Sequence, residues 1–326
     1  MERGASTKAI VLHLAVIAGL VALNFVLPEY HHGVMARILV LAVFAMGYNL
    51  LFGYVGLLSL GHAMFFAAGL YGAGLTVYHL EWSVPAGFAA GIVSGALLSV
   101  VIGALALRTT GVAFMIVTMM FSQVVYLLTL YFSEWTRGDE GLVLQARRME
   151  FGAFQLNLAD PTTRYMLALS LFSIVLLITL AIVRSRHGRV LVAIRENEER
   201  ARMLGYDTFA NKLLAVVASG TICAAAGAAY ALLFGYVGSS FAAVHYSILP
   251  LLWVLVGGTA TTLGPLLGTF VMYYLIDLSN DFINAYIPSW DISYLGIVGV
   301  ALVLLVLYFP KGMLGALRDR WLRWLP

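Results

Sequence analysis

The chain has little charge: Asp, Glu, Lys and Arg together make up 11% of its 326 residues. Soluble domains carry about a quarter charged residues and are roughly half apolar, whereas 62% of this chain is hydrophobic. A soluble fold has no place for so much apolar surface. A protein that crosses the bilayer several times has one, because lipid surrounds the outer faces of its helices. The composition therefore predicts an all-α, polytopic membrane protein.

Several kinds of chemistry lack the residues that they need. Cys223 is the only cysteine, which excludes an intrachain disulfide and a multi-cysteine metal site, and no metal is expected. There is no basic run, so nucleic acid is not an expected partner. No HExxH or GxSxG pattern occurs and His62 stands alone in its apolar segment, which disfavours an intramembrane enzyme. No GxxxxGK(S/T) phosphate loop occurs, so the chain itself should not bind ATP by that mechanism.

Apolar runs of about 20 residues are candidates for membrane helices. The sequence predicts ten of them, at 9–27, 34–52, 56–78, 84–107, 112–132, 164–184, 209–234, 245–258, 263–283 and 292–309. The third is rich in glycine, and the eighth is short. The first follows Arg3 and Lys8 as a signal peptide would, but it is long and no clear small-residue cleavage site follows, so we expect a retained span.

The distribution of Lys and Arg predicts the orientation. Ten spans would leave both termini on one side, and if that side is the cytoplasm, fourteen of the 19 Lys and Arg residues fall inside. Cytoplasmic loops are enriched in these residues, so both termini are expected there. The longest external loop is then 133–163, which is long enough to hold a short helix or to contact an external partner.

A short stretch occurs twice. YNLLFGYVG at 48–56 and YALLFGYVG at 230–238 agree at eight of nine positions, 182 residues apart. Five predicted crossings separate the two copies, so they would point in opposite directions through the membrane. This predicts an inverted-topology repeat with pseudo-twofold symmetry, roughly spans 2–5 against spans 7–10.

Transporters often bind or pass substrate where glycine-broken helices of two such halves meet. The predicted translocation path therefore comprises small and polar residues from both copies and from the stretches that follow them: Gly53, Gly56, Ser59, Gly61, His62, Gly235, Gly238 and Ser239. The alternative is that the glycines permit close helix packing and that the polar groups hydrogen-bond neighbouring backbone.

One segment, SRHGRVLVAIRENEERARMLGY at 185–206, carries eight charges between Arg186 and Arg202 and cannot be a span. It has no Gly or Pro over 190–204, which predicts one helix about 22 Å long that stops at Gly205. The residues expected to form its apolar stripe are Val190, Ala193, Ile194, Ala201 and Leu204. The alternative is a solvated connector. Two spans can be joined by a few residues, so the length favours a cytoplasmic helix that transmits force from a soluble subunit.

The same segment, GRVLVAIRENEERARMLGY, closely resembles the cytoplasmic coupling segment of branched-chain amino acid ABC-transporter permeases, the LivM-like group. The residues that match this pattern are Gly188, Ala193, Ile194, Arg195, Asn197, Ala201 and Gly205. The resemblance covers nearly the whole chain and includes GYVGLLSLGHAMFF, TRGDEGL, GGTATTLGPLLG and YFPKGMLG. Two positions depart from the family pattern, because Arg137 and Ala260 stand where glycine is common.

The resemblance implies a single permease domain over 1–326, with 133–163 as a periplasmic loop and 185–208 as a cytoplasmic coupling segment, in a bacterial inner membrane. It implies an importer with a second homologous permease subunit, two ATPase subunits that bind ATP and Mg, and a periplasmic substrate-binding protein. Implied ATPase-coupling residues are Gly188, Ala193, Ile194, Arg195, Glu196, Asn197, Glu198, Glu199, Ala201 and Gly205. Implied contacts in the periplasmic loop are Thr136, Gly138, Asp139 and Gly141.

Two alternatives stay open on the residues alone. An ion-coupled carrier would often hold a carboxylate mid-membrane, and Asp277 is the one candidate, although it lies near an external helix end. An ABC permease of the same group could also carry urea or short amides instead of amino acids. The chain itself is expected to be a transporter subunit and not an enzyme.

Overall fold

The computed structural model describes residues 2–144, 148–151, 154–286, 296, 299–300, 303–304, 307–309 and 311–320. Its α-helices are α1 (Glu2–Leu23), α2 (Glu29–Asn49), α3 (His62–His79), α4 (Val84–Ala106), α5 (Val112–Tyr131), α6 (Ser133–Thr136), α7 (Pro161–Arg184), α8 (Arg186–Glu196), α9 (Glu198–Met203), α10 (Thr208–Phe234), α11 (Val244–Gly257), α12 (Gly264–Tyr286) and α13 (Met313–Arg320). A π-helix, Leu50–Val55, continues α2, and Ser239–Phe241 forms a 3₁₀ turn. The strands are β1 (Leu142–Val143), β2 (Arg148–Phe151), β3 (Phe154–Asn157) and β4 (Tyr236–Val237).

Five helices in the described part of the chain are long and apolar enough to cross a membrane: His31–Val55, Val84–Ala106, Val112–Tyr131, Pro161–Arg184 and Thr208–Phe234. They confirm the second, fourth, fifth, sixth and seventh predicted spans. The first and eighth match shorter apolar helices, Lys8–Leu23 and Val244–Gly257, and α12 covers the ninth. The tenth, 292–309, falls mostly outside the described residues.

The third predicted span, 56–78, begins in the wrong place. Helix α3 starts at His62, and residues 56–61 are not helical. The π-helix ends at Gly56, whose φ of 80° is a left-handed conformation that suits glycine. The apolar run in the sequence therefore spans a helix end, a break and a new helix, and hydropathy alone does not separate these.

Helices α2 and α10 form the centre of the fold and run antiparallel. The Arg37 guanidinium lies over the Phe234 ring near one end of the pair, and the Ser219 hydroxyl donates to the Gly47 carbonyl at 2.6 Å farther along. Helix α10 also crosses α3 at glycines. A Cβ on Gly69 would lie 1.9 Å from the Ala224 carbonyl oxygen, and one on Gly227 would lie 1.9 Å from that of Phe66. Close packing at small residues therefore assembles the core, as in other membrane helices.

The two copies of the repeat adopt different conformations at opposite ends of the helix bundle. The first copy continues α2 as the π-helix, and Gly56 is left-handed. In the second copy α10 ends at Phe234, Gly235 is left-handed with φ 69°, and Tyr236–Val237 form β4. The first copy lies beside α8 and α9, at the end of the bundle that we call the charged face. The second lies beside residues 133–160, at the end that we call the loop face.

The loop at 133–163 contains the short helix that its length allowed, α6, and also strands that the all-α prediction missed. Strand β1 pairs antiparallel with β4, so that Leu142 lies opposite Val237. Strands β2 and β3 form an antiparallel hairpin in which Arg148 lies opposite Asn157. The strands are two to four residues long, and the fold remains all-α in class.

Candidate functional site at the charged hairpin

Helices α8 and α9 are joined at Asn197 and lie outside the spans; we call this pair of helices the charged hairpin. It begins at a sharp turn directly after α7. The Ser185 hydroxyl accepts a hydrogen bond from the Gly188 amide at 3.2 Å and caps α8. A Cβ on Gly188 would lie 2.3 Å from the Val183 carbonyl oxygen. Only glycine allows α8 to fold back this closely against the end of α7.

The charged hairpin is broken at Asn197, so the prediction of one helix over 190–204 is wrong. Asn197 has extended backbone, with φ −161° and ψ 105°, and its side chain accepts from the Arg200 amide at 2.9 Å. Asparagine caps helices well because its side-chain oxygen satisfies a free backbone donor. The single rod of about 22 Å is therefore two helices of 11 and 6 residues.

The buried apolar face of the charged hairpin also differs from the predicted stripe. Leu191, Ile194 and Ala201 are buried, whereas Ala193 and Leu204 of the predicted stripe are exposed, Leu204 by 71%. Within α8, the buried face is formed by Leu191 and Ile194, so Leu191 takes the place that Ala193 was expected to fill. After the break at Asn197, α9 ends at Met203 and leaves Leu204 outside the buried face. Each short helix buries its own apolar residues against the membrane helices.

The end of the hairpin follows the prediction at Gly205. Gly205 has φ 87°, its amide donates to the Arg202 carbonyl at 3.0 Å, and the Tyr206 amide donates to the Ala201 carbonyl at 3.2 Å. This pair of bonds is a Schellman motif, which favours glycine at the left-handed position. Asp207 then caps α10 by accepting from the Ala210 amide at 3.0 Å.

Arg195 joins the charged hairpin to the first copy of the repeat. Its guanidinium donates to the Gly53 carbonyl, within the π-helix. Its side chain also covers Gly56, where a Cβ would lie 2.9 Å from Arg195 Cγ. One residue expected to couple to an ATPase thus contacts two glycines expected to belong to the path.

Glu198 joins the hairpin to α10. It forms an ion pair with Lys212, which is 8% exposed, and a second with Arg202 at 3.5 Å. Burial acts to raise the pKa of Glu198, but the hydrogen bond and charge of Lys212 outweigh it, and the pKa lies below its ordinary value of 4.5. The carboxylate therefore faces its own chain and stays ionised at neutral pH.

We expect Glu198→Gln to lower the stability of the fold by about 1 kcal/mol at pH 7, a modest value because Glu198 keeps 32% of its side chain exposed. Since the pKa is lower in the folded chain than in the unfolded one, the contribution of Glu198 is complete above about 4.5 and disappears as the pH falls through the folded value. Thermal unfolding of the detergent-solubilised protein should show a gap between wild type and variant that closes below pH 4.5. Glu199→Gln, at an exposed neighbour, should show no gap at either pH.

A groove of about 390 Å³ opens between the hairpin and the end of the π-helix. It is lined by Val55, Gly56, Leu57, Ile194, Arg195, Glu196, Asn197, Glu198, Glu199 and Lys212. Glu196 and Glu199 are exposed at its rim. With Arg195 and Glu198 bound within the chain, these two carboxylates are the acidic groups of the hairpin that remain available to a partner.

The start of the first copy is held by the turn that precedes α12. Asn49, which is 1% exposed, donates to the Thr261 carbonyl at 2.9 Å and accepts from the Ala260 amide at 3.1 Å. Arg318 on α13 donates to the Ala260 carbonyl at 3.2 Å. The π-helix therefore lies between the charged hairpin and the turn that joins α11 to α12.

The predicted path residues after Gly56 are buried in close packing. His62 bonds the Ser219 hydroxyl at 2.9 Å, the Ser59 hydroxyl accepts from the Gly61 amide at 3.2 Å, and both side chains are at most 1% exposed. A Cβ on Gly61 would lie 2.3 Å from the Thr118 carbonyl oxygen. These contacts match the packing alternative raised from the sequence, and the role of these residues in a path stays a prediction.

At the loop face the structure joins two predicted sets that the sequence kept separate. Ser239, directly after the second copy, donates to Asp139 of the loop at 2.8 Å. A Cβ on Gly141 would lie 2.7 Å from the Val237 carbonyl oxygen, and Gly235 and Gly238 adjoin the same strand pair. The Thr136 hydroxyl accepts a hydrogen bond from the Gly138 amide at 3.1 Å, and this bond fixes the turn from Thr136 to Gly138.

No group of three or more His, Cys, Asp or Glu side chains in the described part of the chain could hold a metal ion. The site is built instead from helix caps, two arginines and an ion-paired carboxylate.

The family described as the branched-chain amino acid transport system / permease component matches residues 31–307. The chain belongs to this family. The match includes the charged hairpin and both copies of the repeat, and it confirms the resemblance seen in the sequence.

Two curated relatives align over nearly the full length of this chain, and a third aligns over part of it. The chain is 27% identical to the high-affinity branched-chain amino acid transport system permease protein LivM of Salmonella typhimurium, over 97% of this chain and 77% of that protein. It is 26% identical to the Escherichia coli protein of the same name, over the same shares. A probable LivM of Methanocaldococcus jannaschii is 30% identical over 39% of each chain. These relatives are transport permeases, and no solved structure matches the chain.

The two departures from the family pattern share one backbone feature. Arg137 and Ala260 are both left-handed, with φ 59° and 53°. The left-handed region costs a residue with a Cβ about 1 kcal/mol, which glycine avoids. Arg137 has a compensating contact, since it donates to the Tyr78 hydroxyl at 3.0 Å.

We therefore expect Ala260→Gly to raise the stability of the fold by about 1 kcal/mol, because it relieves the left-handed backbone and keeps both backbone hydrogen bonds. Thermal unfolding in detergent measures the change. Ala210→Gly, at an exposed position in α10, is the matched control and should instead destabilise by about 1 kcal/mol. A lower midpoint for Ala260→Gly would contradict the argument.

Proposed function

We propose that the chain is a membrane-spanning permease subunit of an ATP-binding-cassette importer for branched-chain or related amino acids. The observation that carries this proposal is the Arg195–Gly53 contact, because it joins the charged hairpin to a broken membrane helix. Membership of the permease family supports the transport role, and the names of the curated relatives supply the substrate class.

The charged hairpin is the coupling element in this proposal. Two ATPase subunits, which bind ATP and Mg, dock on the hairpin of this chain and on that of a second, homologous permease subunit. Glu196 and Glu199 are exposed beside the groove and provide the specific contacts. Motion of α8 then reaches the π-helix through Arg195, and motion of α9 reaches α10 through the Glu198–Lys212 ion pair.

The proposal includes about ten spans, an inverted repeat and a fixed orientation. The antiparallel α2 and α10, which carry the two copies to opposite ends of the bundle, support the repeat. The Lys and Arg residues near the charged hairpin support a cytoplasmic charged face. Both termini then lie in the cytoplasm, the protein lies in a bacterial inner membrane, and the loop face meets the periplasmic binding protein that delivers substrate.

The proposal is tested by purifying the chain with its co-expressed ATPases and second permease, and by screening binding proteins loaded with single ligands for stimulation of ATP hydrolysis. Leucine, isoleucine or valine is expected to stimulate. Stimulation by urea or a short amide would support the importer role but with a different substrate. Uptake that follows an ion gradient and needs no ATPase would contradict the proposal.

A further inference from the structure

Helix α5 has a polar residue on its exposed face, deep within the span. Gln123 is exposed, eleven residues after Val112 and eight before Tyr131. At 1.5 Å per residue it lies about 12–16 Å from either end of the helix. Nothing in the described part of the chain hydrogen-bonds the Gln123 amide. An amide without a partner is strongly disfavoured among lipid tails.

The rest of that face is apolar. The exposed residues follow each other at helical spacing: Val112, Ile116, Met120, Gln123, Leu127 and Tyr131. Only Gln123 on this stripe can both donate and accept through an amide. The face therefore offers an apolar surface with one hydrogen-bonding group near its middle, which suits a molecule with an apolar side chain and polar ends.

The opposite, buried side of α5 contacts both broken segments of the fold. Gly61, after the first copy, packs against the Thr118 carbonyl, where a Cβ would lie 2.3 Å from the oxygen. One turn farther along, the Ser122 hydroxyl donates to the Ala242 carbonyl, after the second copy, at 3.5 Å. A shift at either break would therefore move α5 and its exposed face.

Helix α4 provides the contrast. Its exposed face is formed by Val93, Leu97, Val101 and similar apolar residues, 55–63% exposed at these three positions, with no amide or charge. Such a face suits lipid. The exposed faces of α4 and α5 are therefore similar in exposure. The Gln123 amide is the feature that sets the α5 face apart from a face suited to lipid.

We infer that the exposed face of α5 lines a water-accessible path across the membrane and that Gln123 contacts the polar ends of a passing amino acid. This inference rests on the proposed function for the identity of the solute. Ile116, Met120 and Leu127 provide the apolar wall for its side chain. The path then lies outside the packed residues around His62, on the far side of α5.

Single-cysteine accessibility in native membrane vesicles tests the inference. Cys223→Ala removes the only native thiol, which is buried, and gives the background for Gln123→Cys, Leu127→Cys and Leu97→Cys. The probe is a trimethylammonium-ethyl methanethiosulfonate. The cysteine thiolate, which forms in water and hardly at all among lipid tails, attacks it to form a mixed disulfide and releases methanesulfinate. We expect Gln123→Cys and Leu127→Cys to react at least about tenfold faster than Leu97→Cys.

Equal, slow reaction at all three positions would overturn the inference, since the α5 face would then lie in lipid or against another protein. If little Gln123→Cys protein is recovered, the reaction rate of Leu127→Cys still tests the inference. The rates do not depend on which solute is carried. A failure of the proposed function would show separately, as absence of amino-acid uptake by the unmodified protein with its partners.

Discussion

Arg195→Ala should lower amino-acid uptake by the proposed importer at least about tenfold while the complex still forms. The substitution removes the hydrogen bond from α8 to the Gly53 carbonyl and the packing over Gly56. A hydrogen bond from a charged donor contributes about 1.5–3 kcal/mol, and a coupling energy of that size corresponds to about 10–150-fold. Uptake and ATP hydrolysis measured in the same vesicles give the molecules imported per ATP, which should fall.

Arg189→Ala is the matched control. Arg189 lies on the same helix and is exposed, and its side chain has no partner among the described residues. The control should import as wild type does. Arg195→Lys should recover part of the loss, because a single ammonium can reach one carbonyl but lacks the length and fork of the guanidinium. Wild-type import per ATP in Arg195→Ala would show that α8 does not act through Arg195.

Gly227→Val should prevent recovery of folded protein. A Cβ at Gly227 would lie 1.9 Å from the Phe66 carbonyl oxygen, and backbone cannot rotate away as a side chain can. Overpacking of this kind costs about 3 kcal/mol, a large part of the stability of a membrane domain. The fraction of monodisperse protein after detergent extraction measures the effect.

Gly19→Val on α1 is the control, because no atom lies within 4 Å of a Cβ there. It should be recovered as wild type is. Normal recovery of Gly227→Val would mean that α3 and α10 cross at a greater distance than the structure gives. The same packing limits what a substitution at Gly61 can show about a path. Since a Cβ there would strike the Thr118 carbonyl, lower uptake by a bulky variant would report packing as well as any role in a path.

The sequence predicted much of the membrane region because lipid imposes a simple pattern. Long apolar runs with few charges have one stable form, a helix that bonds its own backbone, and five such runs were found at their predicted places. The break at residues 56–61 could not be located in the same way. Its residues are as apolar as their neighbours, and the conformation depends on Gly56 and on contacts from Arg195.

The charged hairpin was also predicted only in part from the sequence. Its position outside the spans followed from its charges, and its end followed from Gly205. The break at Asn197 was open to a local reading, because asparagine before two glutamates is a good helix start. The absence of Gly and Pro over 190–204 instead predicted a single helix, and the apolar stripe predicted for that helix included Ala193 and Leu204, which are exposed.

Contacts between residues far apart in the chain could not be predicted from the sequence. Arg195 and Gly53 are 142 residues apart, and Asp139 and Ser239 are 100 apart. Both pairs were predicted as functional residues, but in separate sets. The fold brings them together through the antiparallel α2 and α10, which place the two copies of the repeat at opposite ends. The identical heptapeptide LLFGYVG takes two conformations because one copy meets α8 and the other meets β1.

The central claim is that ATP-driven motion enters this chain at the charged hairpin. A photo-crosslinking amino acid placed at Glu196 or Glu199, which are exposed beside the groove, tests it most directly in the assembled complex. Both positions should crosslink to an ATPase subunit, and the same probe at Glu134, exposed on the loop face, should not. Crosslinks to the ATPase from Glu134, or none from either hairpin position, would contradict the claim.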